Sequence, residues 1–435
     1  MPIYGIDLGT TNSLIGVMDG DQAKILSSLF PSVVNVYTKE SGPEMKRELR
    51  ATGSDAILSS FKVDVREQYA INASSLVLKG LLKYAPDAKD VVISVPAYFD
   101  VRQRKNTIQA AENIGLNVAA LINEPTAAAL YYNMNARNVS LVYDLGGGTF
   151  DVSVIEGRFG RHDVQVTDGI RLGGDDLNKT LLAVLLKEHG LPPHHFSASE
   201  MRKLQEEVEQ AKIRIQAERR DIEFTAVGHT FLLKEDTYKN TVSFVFGKTV
   251  ARTKSIVSGS GYELSDLALV FVGGSTRDPY LREMICGALG KDNEPVTYNP
   301  DEIVAKGAIY YAYLIETGQA EKTVSDVTKA IGFKLRDGTL QTLIEQNAML
   351  PIIGSTYLIF NEDEDSGISI ELYQGDSVLA MDCDFIGTLD YDFGRVMPPR
   401  KGILSLQCDM NRSGVLTLSA HEIGKPPQSI QLSIK

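Results

Sequence analysis

The sequence predicts a two-lobed mixed α/β domain followed by an all-β module. Three observations carry this. A strand–turn–strand pattern occurs twice in the first half of the chain, at IYGIDLGTTNSLIGVMDG (3–20) and VYDLGGGTFDVSVIEG (142–157). Strand-like and helix-like segments alternate as far as about residue 318. From 331 to 435 only short alternating runs remain, separated by turns such as Arg336-Asp337-Gly338 and Asn411 to Gly414.

Residues 3–8 and 13–18 read as strands, with Asp19-Gly20-Asp21 as the hairpin turn. DVVISVP (90–96) is a short apolar run that suits a buried strand. Residues 101–114 have apolar and polar faces and no breaker before Gly115, which predicts a helix. PTAAALYY (125–132) predicts another, with proline at its first position. The longest helical signal is 199–217: Ser199 is the expected N-cap, and Leu204, Val208, Ala211 and Ile215 fall on one face. ETGQAEKTVSDVTK (316–329) is polar and weakly patterned. The expected organisation is 1–318, a linker at 319–330, and a β-sandwich at 331–435.

The bulk composition narrows the function class. The 435 residues are 43% hydrophobic and 23% charged, the balance of an ordinary globular protein. A net charge of -12 argues against nucleic acid or an anionic membrane as the main partner. Three cysteines, Cys286, Cys383 and Cys408, are far apart and form no CxxC pair, so a reducing compartment is expected. The first residues enter a strand pattern with no signal-peptide features, and no apolar stretch reaches the roughly 20 residues of a membrane span. The reading is a cytoplasmic monomer.

The repeat carries the chemistry. Gly20 lies 13 positions after Asp7 and Gly157 lies 13 after Asp144, and each strand ends in Asp-Leu-Gly before a small-residue turn. Such turns let successive backbone amides form a concave anion nest, with no Cβ to hold a phosphate away. Thr10, Thr11 and Thr149 add hydroxyl donors. Asp7 and Asp144 can hold a hydrated Mg²⁺, which favours oxygen ligands and retains waters. One GGG could be only a flexible turn. Two hairpins in the same register suggest two similar lobes clamping a polyphosphate from both sides. Rival motifs fare worse: GGDDLNKT (173–180) has Asn178 where a P-loop needs glycine, and no GxGxxG opens a helix.

The full motif set resembles the 70-kDa heat-shock (DnaK) chaperone family. IDLGTTNS, VVISVPAYFDVRQR, LINEPTAAALYY, YDLGGGTFDVSVIE, LGGDDLN and LVFVGGSTRDP occur in the family's order, and TLIEQNAMLP, ISIELYQGD and SGVLTLSA resemble its β-sandwich peptide-binding domain. The resemblance implies an actin-like ATPase fold of four subdomains around a cleft that takes ATP or ADP with Mg²⁺ and K⁺. By motif position it implies metal ligation by Asp7 and Asp144. Phosphate contacts would come from Gly9, Thr10, Thr11, Asn12, Gly146, Gly147, Gly148 and Thr149, with Gly173 and Gly174 beside them. Catalysis would rest on Asp144 and Thr149, on Lys62 near the γ-phosphate, and on Glu124 and Asp151 placing the attacking water. Nucleoside contacts would come from Glu209, Lys212 and Gln216 on the long helix and from Gly273, Gly274, Ser275 and Arg277. Gln216 stands where the family usually has serine, and Lys62 lies in a shortened flank. Pro96 and Arg104 match the family's switch proline and its partner. The implied partners are unfolded or extended peptides, a J-domain co-chaperone and a nucleotide exchange factor.

The sequence also departs from that pattern. The segment 53–88 is short. Lys322 to Ser325 stand where the family's linker has a run of leucines and leave one apolar residue there, Val324, so less apolar area is available to couple the domains. No helical lid follows the expected β-sandwich, and two readings stay open: a shortened, lidless member, or a chain cut before the lid. Phe333, Leu358, Ile368 and Ile370 fall on peptide-pocket positions. Arg336 and Asn361 fall where the family has small or apolar residues arching over the peptide. Two rival functions remain open: a nucleotide-gated interaction module without coupled chaperone work, and a small-molecule kinase of the same superfamily.

Overall fold

The computed structural model describes residues 2–63, 67–132, 139–158, 161–290, 299–320, 324–325, 327–375, 377–425 and 428–429. The chain divides into two compact units: Met1–Ala97 with Asn106–Val324, and Tyr98–Lys105 with Ser325–Lys435.

Two sheets of the first unit repeat one plan. In the first, Ile3–Leu8 pairs antiparallel with Asn12–Asp19, which pairs antiparallel with Gln22–Ile25. On its other side Ile3–Leu8 runs parallel to Asp90–Val95, which runs parallel to Asn117–Asn123. In the second sheet Val139–Leu145 pairs antiparallel with Phe150–Arg158, which pairs antiparallel with Arg161–Ile170. On its other side Val139–Leu145 runs parallel to Leu267–Val272. The hairpin registers also agree. Asp7 faces Leu14 and Asp144 faces Asp151, so each loop leaves its sheet at the same point.

Helices cover these sheets, which explains why Asp90–Val95 and Val139–Leu145 are buried almost throughout rather than alternating. Glu124–Tyr132 packs on the second sheet, and Ile303–Glu316 packs on the first and against Glu124–Tyr132. These approaches depend on glycine. A Cβ at Gly307 would overlap the Ala127 carbonyl, and one at Gly5 would overlap the backbone of Ile309. The apolar faces of Ala198–Glu218 and Glu235–Ser260 join the second sheet in one core, which includes Leu204, Val208, Ile215 and Phe246.

The expected helices occur with shifted ends. Helix 101–114 is observed as Val101–Glu112, ending before the left-handed Gly115 (φ 84°). Helix 125–132 begins one residue earlier, so Pro125 takes the second position of Glu124–Tyr132. The N-cap of the long helix is Ser197, not Ser199. Ser197 Oγ accepts from Glu200 N at 3.3 Å, and Glu200 Oε2 accepts from Ser197 N at 2.8 Å. This reciprocal capping box gives Ser197 the terminal position and places Ser199 inside the first turn.

The second unit contains two four-stranded sheets. One has the order Leu340–Ile344, Ile331–Lys334, Asp365–Gln374, Asp384–Met397; the other has Ile352–Phe360, Ile403–Met410, Leu416–Glu422, Gln428–Ser429. All their pairings are antiparallel. Residues from both, including Ile370, Leu372, Leu389, Leu404, Leu406 and Leu418, form one apolar core. Of the expected linker, 321–323 and 326 lie outside the described residues, and Val324 lies in the two-residue strand Val324–Ser325. No helix among the described residues is long and apolar enough to cross a membrane.

Gly307→Ala should lower stability by about 1–3 kcal/mol, because the added methyl meets backbone rather than a movable side chain. Denaturant unfolding checks this; unchanged stability would mean that the helix can lift away without loss.

Candidate nucleotide site

The two hairpin loops meet around a cavity of about 360 Å³ in the first unit. Gly9, Thr10, Thr11 and Asn12 line it from one sheet, and Gly146, Gly147 and Thr149 from the other. The loops touch each other. A Cβ at Gly147 would collide with Thr11 Oγ1, and one at Gly148 would lie 3.0 Å from Thr10 Cγ2. None of Gly146, Gly147 and Gly148 has a left-handed φ. Close approach, rather than unusual backbone angles, therefore favours glycine at 147 and leaves little room at 148.

The same constraint extends to Gly173 and Gly174. A Cβ at Gly173 would overlap the Gly147 carbonyl. Gly174 N donates to Gly146 O at 3.0 Å, and Asp175 N donates to Gly147 O at 2.7 Å. GGDD thus ties the start of Gly174–Glu188 to the second hairpin loop.

Carboxylates gather at the strand ends. Asp7 accepts from Ser94 Oγ at 2.6 Å. Desolvation, aided by the nearby Glu124 charge, pushes the Asp7 carboxyl up to about 7 from an ordinary 3.8. Asp144 is 6% exposed, and burial raises it well above the carboxylate range, with Glu124, Asp151 and Asp7 adding repulsion. Asp151 is 1% exposed. Lys62 is also buried, and its Nζ donates to Glu124 Oε1 at 2.8 Å. It is not a solvated surface lysine.

This donor set fits a hydrated divalent cation with a polyphosphate. Acids held above their usual range gain from a cation, and the glycine loops leave room for an anion. Among the described residues no group of three or more His, Cys, Asp or Glu side chains could by itself hold a metal. An ion at Asp7 and Asp144 would therefore complete its shell with water and phosphate oxygens, as Mg²⁺ commonly does.

The opposite wall is helical. Glu209, Lys212 and Gln216 of Ala198–Glu218 line the cavity, together with Ile213. Desolvation lowers the Lys212 ammonium, against the pull of Glu209 and Asp175. Glu209 does not simply pair along its own helix: its Oε2 accepts from Lys46 Nζ at 2.9 Å. Lys46 also reaches Glu206, so Pro43–Thr52 is bridged to the long helix. Gly273, Gly274, Ser275 and Arg277 complete the lining. Gly273 has φ 82°, and Ser275 Oγ donates to Gly146 O at 2.8 Å. Arg277 pairs with Asp301 and donates to Asn299 Oδ1 at 2.5 Å.

Lining residues that the sequence did not single out include Asp175, Asp278, Asp301, Leu29 and Val304. Asp175 lies within the quoted LGGDDLN but was given no role; its partner Ser60, whose hydroxyl donates to it, carried no signal. Asp278 lies within the quoted LVFVGGSTRDP without an assigned role, and Asp301 lies in no quoted motif; the relevance of both depends on tertiary placement.

The other expected sites are dispersed. Pro96 is buried in the first unit. Arg104 clusters with the second, its Nε donating to Phe99 O at 3.2 Å and its Nη1 to Ser413 O at 3.1 Å. Leu358 is 57% exposed, Phe333 and Ile368 pack partly on the core, and Ile370 lies within it. Arg336 pairs with Glu362 and Asp363. Asn361 is turned inward. Its Nδ2 donates to the carbonyls of Asp363, Met397 and Pro398, and its Oδ1 accepts from Gly402 N.

The raised Asp7 carboxyl sets a pH dependence. The folded state holds its proton more tightly than the unfolded chain, so its contribution weakens stability as pH rises from about 4 to about 7. In metal-free buffer, denaturant unfolding should show this decline, and Asp7→Asn should flatten it. Mg²⁺ should oppose the decline; an identical pH profile in Asp7→Asn would contradict the assignment.

The family model described as Hsp70 protein matches residues 77–434 of the chain.

Proposed function

The chain belongs to the Hsp70 family, and from that premise we propose that it is an ATP-dependent molecular chaperone. Its mixed α/β sheets are consistent with the actin-like ATPase fold of that family. The observation that carries the reading is the convergence of the two equivalent hairpin loops on the carboxylate cluster. In this reading 1–318 is the ATPase domain, 319–330 the linker and 331–435 a β-sandwich that binds extended peptides.

The proposed reaction is ATP plus water to ADP plus phosphate. Bound Mg²⁺ would neutralise phosphate charge. Asp7 and Asp144 would hold it through their carboxylates, while the loop amides and Thr10, Thr11 and Thr149 hydroxyls cradle the phosphates. Lys62 offers a buried cation to the terminal phosphate, and Glu124, oriented by Lys62, and Asp151 orient water. Glu209, Lys212, Gln216 and the 273–277 turn would hold the nucleoside. K⁺, a J-domain co-chaperone and an exchange factor belong to the same proposal. Three free cysteines support a reducing, cytoplasmic setting.

A second reading has its own support. In place of the family's run of leucines, 322–325 keeps one apolar residue, Val324, and the two proposed arch residues are an ion-paired arginine and an inward-turned asparagine. These features favour a nucleotide-gated interaction module with weak coupling. ATP turnover measured with and without an unfolded peptide separates the two: stimulation supports the coupled chaperone, and unchanged turnover supports the module.

Glu124→Gln should lower kcat by about 10²–10⁴-fold while changing ATP affinity by less than about threefold. Steady-state kinetics with direct binding checks this; wild-type turnover would remove Glu124 from the mechanism. Lys46→Ala should speed nucleotide release by about tenfold, since it frees one side of the cleft from Glu206 and Glu209. Stopped-flow release of a fluorescent nucleotide measures it, and an unchanged rate would make the bridge a bystander.

A further inference from the structure

Ser60 holds an unusual backbone conformation two residues before Lys62. Its φ is 55°, in the left-handed region that residues with a side chain rarely adopt. Glycine would take this conformation freely, so a serine here needs a reason. The side chain supplies one: Ser60 Oγ donates to Asp175 Oδ2. Alanine would bear the same strain and make no such bond, and threonine would add β-branching to a left-handed backbone.

Both ends of that bond are tied to the cleft. Asp175 is the second residue of Gly174–Glu188, and its N donates to Gly147 O at 2.7 Å, so its backbone is fixed to the second hairpin loop. Its carboxyl lies at the cavity, where burial pushes it up while the Ser60 hydroxyl and the Lys212 charge pull it down. A carboxylate so placed gains from each donor it keeps. At the other end, Ser60 leads directly into the 3₁₀ turn Phe61–Val63, in which Phe61 and Lys62 are buried. Lys62 Nζ donates to Glu124 Oε1 at 2.8 Å, and its charge also acts on Asp7 and Asp144. The contacts therefore run in one line, from Gly147 through Asp175 and Ser60 to Lys62 and Glu124. Each step is one hydrogen bond or a very short piece of chain, which leaves little slack between the lysine and the loop.

We propose that Ser60 is a positioning residue for Lys62: its bond to Asp175 clasps the lysine-bearing turn to the second hairpin loop, so the ammonium is held at the carboxylate cluster only while that loop is in place. This rests on the ATPase reading above. Ser60 acts on the reaction through Lys62 and not by its own contact with the nucleotide. The strained backbone aims the hydroxyl at Asp175 and sends the next residues into the buried turn, so one residue fixes both. The clasp makes turnover, rather than nucleotide binding, sensitive to a hydroxyl that lies outside every motif of the chain.

The test is ATP turnover and calorimetric ATP binding by the full chain with Mg²⁺, for the wild type and Ser60→Gly, each also combined with Lys62→Ala and with Asp175→Ala. Glycine keeps the left-handed backbone and removes only the hydroxyl, so Ser60→Gly should fold as the wild type does. It should lower kcat by about 10–100-fold, the cost of a misplaced group, and change the ATP dissociation constant by less than about threefold. In the Lys62→Ala and Asp175→Ala backgrounds it should cost less than about twofold more, because losses through one shared link do not add. The Asp175→Ala pair reads the clasp by itself if Lys62→Ala leaves no measurable turnover. A merely structural contact would weaken binding and turnover together and would do so equally in both backgrounds. Wild-type kcat in Ser60→Gly, or a loss kept in full in either background, would overturn the proposal while the ATPase reading stands. A wild type that binds ATP without turnover would overturn the ATPase reading and this inference with it.

Discussion

Four carboxylates share a poorly solvated space with one lysine. The groups that act on Asp144 are Glu124, Asp151, Asp7 and Lys62, in addition to its own burial. Lys62 pairs with Glu124 at 2.8 Å, and among the groups that act most strongly on Asp144 it is one cation against three carboxylates. Such an arrangement favours protons or an added cation over bare carboxylates. The raised Asp7 and Asp144 carboxyls express this constraint. It also gives chemical meaning to the neighbouring glycine loops, where an anion can accompany the cation.

The fold serves this constraint by doubling one unit of structure. Each mixed sheet sets an Asp-Leu-Gly strand beside a parallel strand and turns it back through a four-residue loop. The loops approach until side chains on one leave no room for a Cβ on the other. Behind them, the small residues of Glu124–Tyr132 and the Gly307 contact allow two helices to pack at backbone distance. Glu124 begins that helix, so the packing that joins the two sheets also places a carboxylate at the cleft. At the far side, Lys46 bridges to Glu206 and Glu209.

Much of this was legible in the sequence because it is local and repeated. Asp7 and Asp144 declared themselves by equal spacing to Gly20 and Gly157, and Gly273 by its place between an apolar strand and Pro279. The reason for Gly147 and Gly148 was not legible: the sequence suggested a tight turn, whereas the structure requires space beside Thr10 and Thr11. Ser199 was the expected cap, and only the backbone, which places Glu200 opposite Ser197, moves the helix start two residues earlier. Pairings between distant segments left no trace, as with Ser60 and Asp175, or Tyr238 and Asp278. Asn361 shows the same limit in the second unit. Motif position implied an arch over a peptide, yet here four backbone groups absorb its side chain.

The central claim is that residues 9–12 and 146–149 act as two jaws on one polyphosphate. Hydrogen–deuterium exchange across the chain, with and without ATP and Mg²⁺, tests it most directly. The account predicts that peptides covering both loops gain protection together, and that both lose it in Asp7→Asn with Asp144→Asn. Protection of one loop alone, or of neither at saturating ATP, would contradict it.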